Sequence, residues 1–130
     1  MIIIHGFLYS SKNSMKMLHL PGRGFGRRMR TIISKSDRAR REFEEFCYEL
    51  LQQKAAWEEM LKGKSFPYRV RLLIFRKDRR RFDYLNVCQN LFDAMTKMHY
   101  WPDDDANHVI PVFEPYQVDP DNPRVHITLD

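Results

Sequence analysis

Two periodicities divide this chain. From Pro67 to Phe75 (PYRVRLLIF) every second position is apolar, so Tyr68, Val70, Leu72 and Ile74 share one face, the mark of a half-buried strand. Ile2 to Leu8 (IIIHGFL) reads as a β-branched strand weakened by Gly6. Helical spacing takes over after Ser36, a candidate N-cap followed by the favourable first-turn Asp37. Ala39, Phe43, Phe46, Cys47, Leu50, Leu51, Trp57 and Leu61 form one stripe, interrupted by Lys54 and ended by Gly63. A second helix is predicted from Asp83 to Met98, burying Tyr84, Val87, Cys88, Leu91, Met95 and Met98. His108 to Glu114 reads as a strand whose Pro111, with Pro115 just beyond, suits a sheet edge, and Val125 to Leu129 alternates as a last strand. Tyr9 to Arg30 carries Pro21, Gly22, Gly24 and Gly26 and reads as a long polar loop, with Thr31 to Ser34 a short strand returning from it. This order predicts an α+β fold: a mixed sheet of four to five strands with two helices on one face, as a single domain over residues 1–130.

Composition removes several classes. With 43% hydrophobic and 30% charged residues, the 130-residue chain has the makings of a core and is too apolar to stay disordered. No apolar run approaches the roughly 20 residues that span a bilayer. Met1 to Leu8 lacks the basic start and cleavage site of a secretory signal. Cys47 and Cys88 fall within predicted helices without CxxC spacing, which points to a reducing cytoplasm rather than to disulfides or zinc.

Charge is divided unevenly. Residues 1–82 hold 20 of the 22 Lys and Arg and 8 of the 17 acids, a net +12, whereas residues 83–130 carry a net −7 from 2 and 9. A basic body joined to an acidic segment suits a protein that holds a polyanion and a cation, although uneven surface charge accounts for it equally well. The densest candidate chemistry lies in Arg79–Asp105 (RRRFDYLNVCQNLFDAMTKMHYWPDDD). Asp83 opens a helix and Asn86 lies one turn on, so both project to one side, where a carboxylate and an amide offer oxygen ligands to a hard cation. Asp103, Asp104 and Asp105 repel one another and read either as a solvated turn or as a cation site. To meet Asp83 they must fold back along the roughly 24 Å that a 16-residue helix spans.

The order of these residues resembles the RusA family, the small Holliday-junction resolvases of bacteria and their phages. The resemblance rests on Arg79-Arg80-Arg81, Asp83-Tyr84-Leu85-Asn86, Phe92-Asp93-Ala94-Met95-Thr96-Lys97, Trp101 with Asp103-Asp104, and the opening Ser11-Lys12-Asn13-Ser14. It implies a small α+β domain working as a homodimer on branched DNA, a four-way junction above all, in the cytoplasm of a bacterial cell and encoded by phage or prophage. It also implies Mg²⁺, with Mn²⁺ as a substitute, and no small-molecule cofactor. Catalytic and metal-binding roles pass to Asp83, Asp104 and Asp103, with Asn86 as a further metal ligand. Two positions depart from the pattern. The motif's second aspartate is Leu85 and the lysine one turn later is Gln89. Leucine cannot bind magnesium, and glutamine brings no positive charge to a scissile phosphate. The resemblance therefore implies either a metal-dependent junction endonuclease or a RusA-like DNA-binding protein that does not cut.

Lys12, Asn13, Arg27, Arg28, Arg76, Arg79, Arg80 and Arg81 are the candidate DNA contacts, each cation able to neutralise a phosphate. Phe25, among loop arginines, reads either as a wedge for an open junction or, more simply, as an aromatic tucked against the body. The five histidines show no metal-binding spacing, Gly22-Arg23-Gly24-Phe25-Gly26 is not a phosphate loop, and Ser11 and Ser14 lack a base and an orienting partner.

Overall fold

A computed structural model describes residues 1–6, 8, 15–21, 29–35 and 37–130, with backbone alone at 15–21 and 29–35. Its elements are β1 (Ile2–His5), β2 (Met15–Pro21), β3 (Met29–Lys35), α1 (Asp37–Gln52), α2 (Lys54–Met60), β4 (Tyr68–Arg76), α3 (Tyr84–Lys97), β5 (Val109–Phe113), β6 (Gln117–Val118) and β7 (Arg124–Leu129). The main sheet has the order β1-β7-β4-β5, with β6 pairing the end of β4. β5 runs parallel to β4, while β7 is antiparallel to both β4 and β1. The α+β class and the mixed sheet agree with the sequence reading.

Alternation builds the core. Ile2, Ile4, Val70, Leu72, Ile74, Val125 and Ile127 project from one sheet face and are essentially solvent-free. They meet Phe46 and Leu50 of α1, Trp57 of α2, and Val87, Cys88, Leu91 and Met95 of α3. Burial raises the Cys88 thiol to about 12, so it packs as an apolar group.

Four expectations need correction. The long helix is two helices, because Gln53 leaves the helical path to serve the sheet. Its amide accepts from Ile3 N at 2.9 Å and donates to Ile3 O at 2.8 Å, and Glu49 accepts from His5 N at 2.9 Å. These side chains occupy the outer backbone groups of edge strand β1, where another chain could otherwise pair. Lys54 then donates to Met98 O at 2.8 Å and to His99 O, holding the C-terminal end of α3 where a cation is favoured. Second, the backbone at 15–21 and 29–35 is a hairpin, Met15 opposite Lys35, where a loop is expected for most of its length. Third, Gly6, at φ 107°, ends β1 at His5, short of Leu8. Fourth, Leu51 is 62% exposed and stands outside the core stripe. The Ser36 cap lies outside the described residues.

An arginine hub fastens the loop before β7. Arg124 pairs with Asp119 at 2.7 Å, donates to Asn122 O at 2.9 Å and stacks over Phe75 at 3.8 Å. Its Nε also donates to His126 Nε2 at 3.0 Å, so that ring nitrogen carries no proton. Burial, then Arg124, then His5 across the strands lower the His126 pKa below 6.5. A depressed folded-state pKa gives stability that is present above about pH 6.5 and lost as pH falls through the lower folded value. The unfolding free energy of the wild type, measured with urea, is therefore expected to fall between pH 7 and pH 5, by less than about 1 kcal/mol for this partly exposed ring. His126→Gln, which keeps an acceptor for Arg124, is expected to flatten that decline.

Candidate nucleic-acid interface

The β4–α3–β5 crossover decides where the candidate residues lie. β4 runs towards Arg76, α3 starts beyond it, and the helix returns to the opposite end before β5 begins. Asp83 is the N-cap of α3: its backbone is extended and its side chain accepts from Leu85 N at 3.1 Å. That end is fixed by Tyr84, whose hydroxyl donates to Glu114 O at 3.1 Å, and by Phe82, whose ring meets Tyr116 at 4.9 Å. Asp103 to Asp105 follow the other end of the helix. Asp105 O accepts from His108 N and Val109 N, and Tyr68 N donates to His108 O, which anchors the turn at the start of β4 and β5.

Asp83 and the acidic turn are thus separated by the length of α3, about 21 Å for 14 residues. Two carboxylates sharing Mg²⁺ need oxygens about 2.1 Å from the ion, so Asp83, Asp103 and Asp104 cannot form one cage within a chain. The expected convergence is corrected on this point. Leu85 stands 67% exposed where a ligand would be needed, and Asn86 remains a half-buried neighbour of Asp83. Among the described residues no group of three or more His, Cys, Asp and Glu could hold a metal ion.

The acidic turn is organised locally. Asp105 accepts from His108 Nδ1 at 2.7 Å and from Asn107 N at 2.9 Å, which lowers its pKa. Asp104 behaves in the opposite way: burial and the neighbouring Asp103 charge raise its pKa. His108 therefore belongs to the turn and to a ring contact with Phe66 at 4.8 Å.

The other end of the domain is basic. Lys77, Arg79, Arg80 and Arg81 are exposed before α3, and Arg80 lies 3.8 Å from Asp78. Arg76 is not among them. In phase with Val70, Leu72 and Ile74 it points inward, 4% exposed, with its guanidinium 4.2 Å from the Phe82 ring centre and donating to Leu8 O at 3.2 Å. Burial lowers its pKa. This arginine is structural, which corrects its assignment as a DNA contact, and its bond places Leu8 beside the basic turn. Lys12, Asn13, Phe25, Arg27 and Arg28 lie outside the described residues.

Sequence reasoning missed three cations here. Asn90 of α3 donates to Ala39 O at 3.0 Å and Tyr100 OH donates to Leu50 O at 2.6 Å, so α1 and α3 lie side by side and begin towards the same end. Arg38, Arg40 and Arg41, all exposed, therefore add to the basic end. Their spacing was legible: Arg38, Arg40 and Arg41 each stand four residues before an acid of the same helix, Glu42, Glu44 and Glu45. Seven exposed cations gather towards this end with Asp37, Asp78 and Asp83, and with Glu42, Glu44 and Glu45 beside Arg38 and Arg41, which makes it a candidate surface for anions. Among the described residues no helix is long and apolar enough to cross a membrane. No protein-family model and no curated protein matches this chain.

Proposed function

We propose that this protein binds branched DNA through its basic end, as a homodimer of RusA-like build, and that one chain alone does not cut it. The observation that carries this reading is the joint placement of Arg38, Arg40, Arg41, Lys77 and Arg79–Arg81 at the end where α1 and α3 begin. Phosphates bind such cations regardless of base sequence, and among the described residues no base-reading element accompanies them. A two-fold dimer matches the near two-fold symmetry of a four-way junction.

A second reading is a Mg²⁺-dependent junction endonuclease whose site is completed between two copies, Asp83 of one and Asp103 with Asp104 of the other. The raised pKa of Asp104 favours it, because such a carboxylate gains from an external cation. Purified protein incubated with a synthetic four-way junction, in Mg²⁺ or in EDTA, separates the two. Retarded and uncut DNA in both is the expected result. Cleavage that needs Mg²⁺, is lost in Asp83→Asn and in Asp104→Asn, and returns when the two variants are mixed establishes the shared site instead. Junction DNA that is not retarded even at low salt overturns both readings.

A further inference from the structure

The described residues include five large apolar side chains that stand well exposed: Met1, Tyr48, Leu51, Phe66 and Leu85. Four lie away from the basic end. Met1 precedes β1, Tyr48 and Leu51 belong to the later half of α1, and Phe66 packs on His108 beside the acidic turn. Leu85 is the exception. At 67% exposure it is the most open of the five, and it sits in the first turn of α3, four residues after Arg81 and two after Asp83. Its backbone N–H is already taken by Asp83, so helix capping does not explain the choice of side chain. The neighbouring Tyr84 and Val87 turn inward, while Arg81, Asp83 and Gln89, close to Leu85 in sequence, are exposed as it is.

An isobutyl group offers nothing to a phosphate. It gains by contact with sugars and base faces, which continuous duplex keeps stacked and an opened strand junction uncovers. Leucine is among the side chains that enter unstacked base steps when cations hold the flanking backbone. We propose that Leu85 is the specificity-determining contact by which the basic end prefers opened, unstacked DNA over continuous duplex. This inference rests on the DNA-binding reading above. The arginines supply affinity that every DNA shares, and Leu85 supplies the difference between DNA forms.

The test measures binding of wild type, Leu85→Ser and Leu85→Met by fluorescence anisotropy. The probes are a labelled four-way junction and a linear duplex carrying the same arm sequence, at one salt concentration. Leu85→Ser is expected to weaken junction binding about tenfold and duplex binding less than about twofold, with Leu85→Met retaining the wild-type preference. Equal losses on both probes, or no loss on either, overturn the role of Leu85. A wild type that binds both probes equally overturns it too, while leaving the DNA-binding reading intact. A wild type that binds neither probe at low salt removes the DNA-binding reading and this proposal together.

Discussion

Trp57→Ala is expected to destabilise the fold by about 3–5 kcal/mol, the range for emptying a buried aromatic site. Trp57 is fully buried at the junction of α2, β4 and the segment after α3. Its ring stacks on Tyr100 at 5.0 Å and meets the edges of Trp101 at 6.1 Å and Tyr68 at 6.4 Å. Its Nε1–H donates to Tyr100 O at 2.9 Å. Truncation therefore removes ring contacts and leaves a buried carbonyl without its donor, two losses that add. Against a typical total of about 5–15 kcal/mol, a loss of this size leaves a marginal protein. Urea denaturation followed by far-UV circular dichroism measures it. Trp57→Phe keeps most of the buried ring and loses only the donor, so its cost is expected to be about 1–3 kcal/mol. A loss below about 1 kcal/mol for the alanine variant contradicts the packing described.

The second large effect concerns Arg79, Arg80 and Arg81. All three are exposed, so replacing them together with alanine is expected to change stability by less than about 0.5 kcal/mol each. DNA affinity responds differently. Each phosphate contact contributes about 0.9 to the slope of log affinity against log salt, close to one order of magnitude at 0.1 M salt. The triple variant is therefore expected to bind a four-way junction and a duplex roughly 100- to 1000-fold more weakly, by similar factors on the two DNAs. Arg76→Ala is expected to act on stability instead, since its guanidinium lies under Phe82 and holds Leu8 O. Anisotropy titrations paired with urea midpoints separate the two behaviours.

How far the sequence reveals this architecture varies with the physics of each element. α3 is legible because Asp83 is a good N-cap and Val87, Cys88, Leu91 and Met95 repeat at helical spacing. β4 is equally clear from its alternation, and that alternation also places Arg76 on the buried face. The break between α1 and α2 was not legible, because Gln53 and Lys54 act on Ile3 and on the end of α3, partners about 45–50 residues away in sequence. The two-residue β6 carries too little pattern to stand out.

Asp83 and the acidic turn stay apart within one chain for a reason the element order already contains. A strand, a helix of 14 residues and a second strand parallel to the first place the helix ends at opposite ends of the sheet. Asp83 and Asp104 flank that helix, so a cage between them within one chain conflicts with the crossover itself. The basic end, in contrast, was half legible: Arg79–Arg81 stand out as a run, while Arg38, Arg40 and Arg41 join them only through the packing of α1 beside α3.

The central claim is that one end of this domain is a phosphate receptor, and salt titration of junction binding by the wild-type protein tests it most directly. A log–log slope steeper than about −3, reduced by roughly 2–3 in the Arg79/Arg80/Arg81 triple-alanine variant, is the predicted result. Binding that does not weaken between 50 and 200 mM salt, or a slope unchanged in the triple variant, contradicts it.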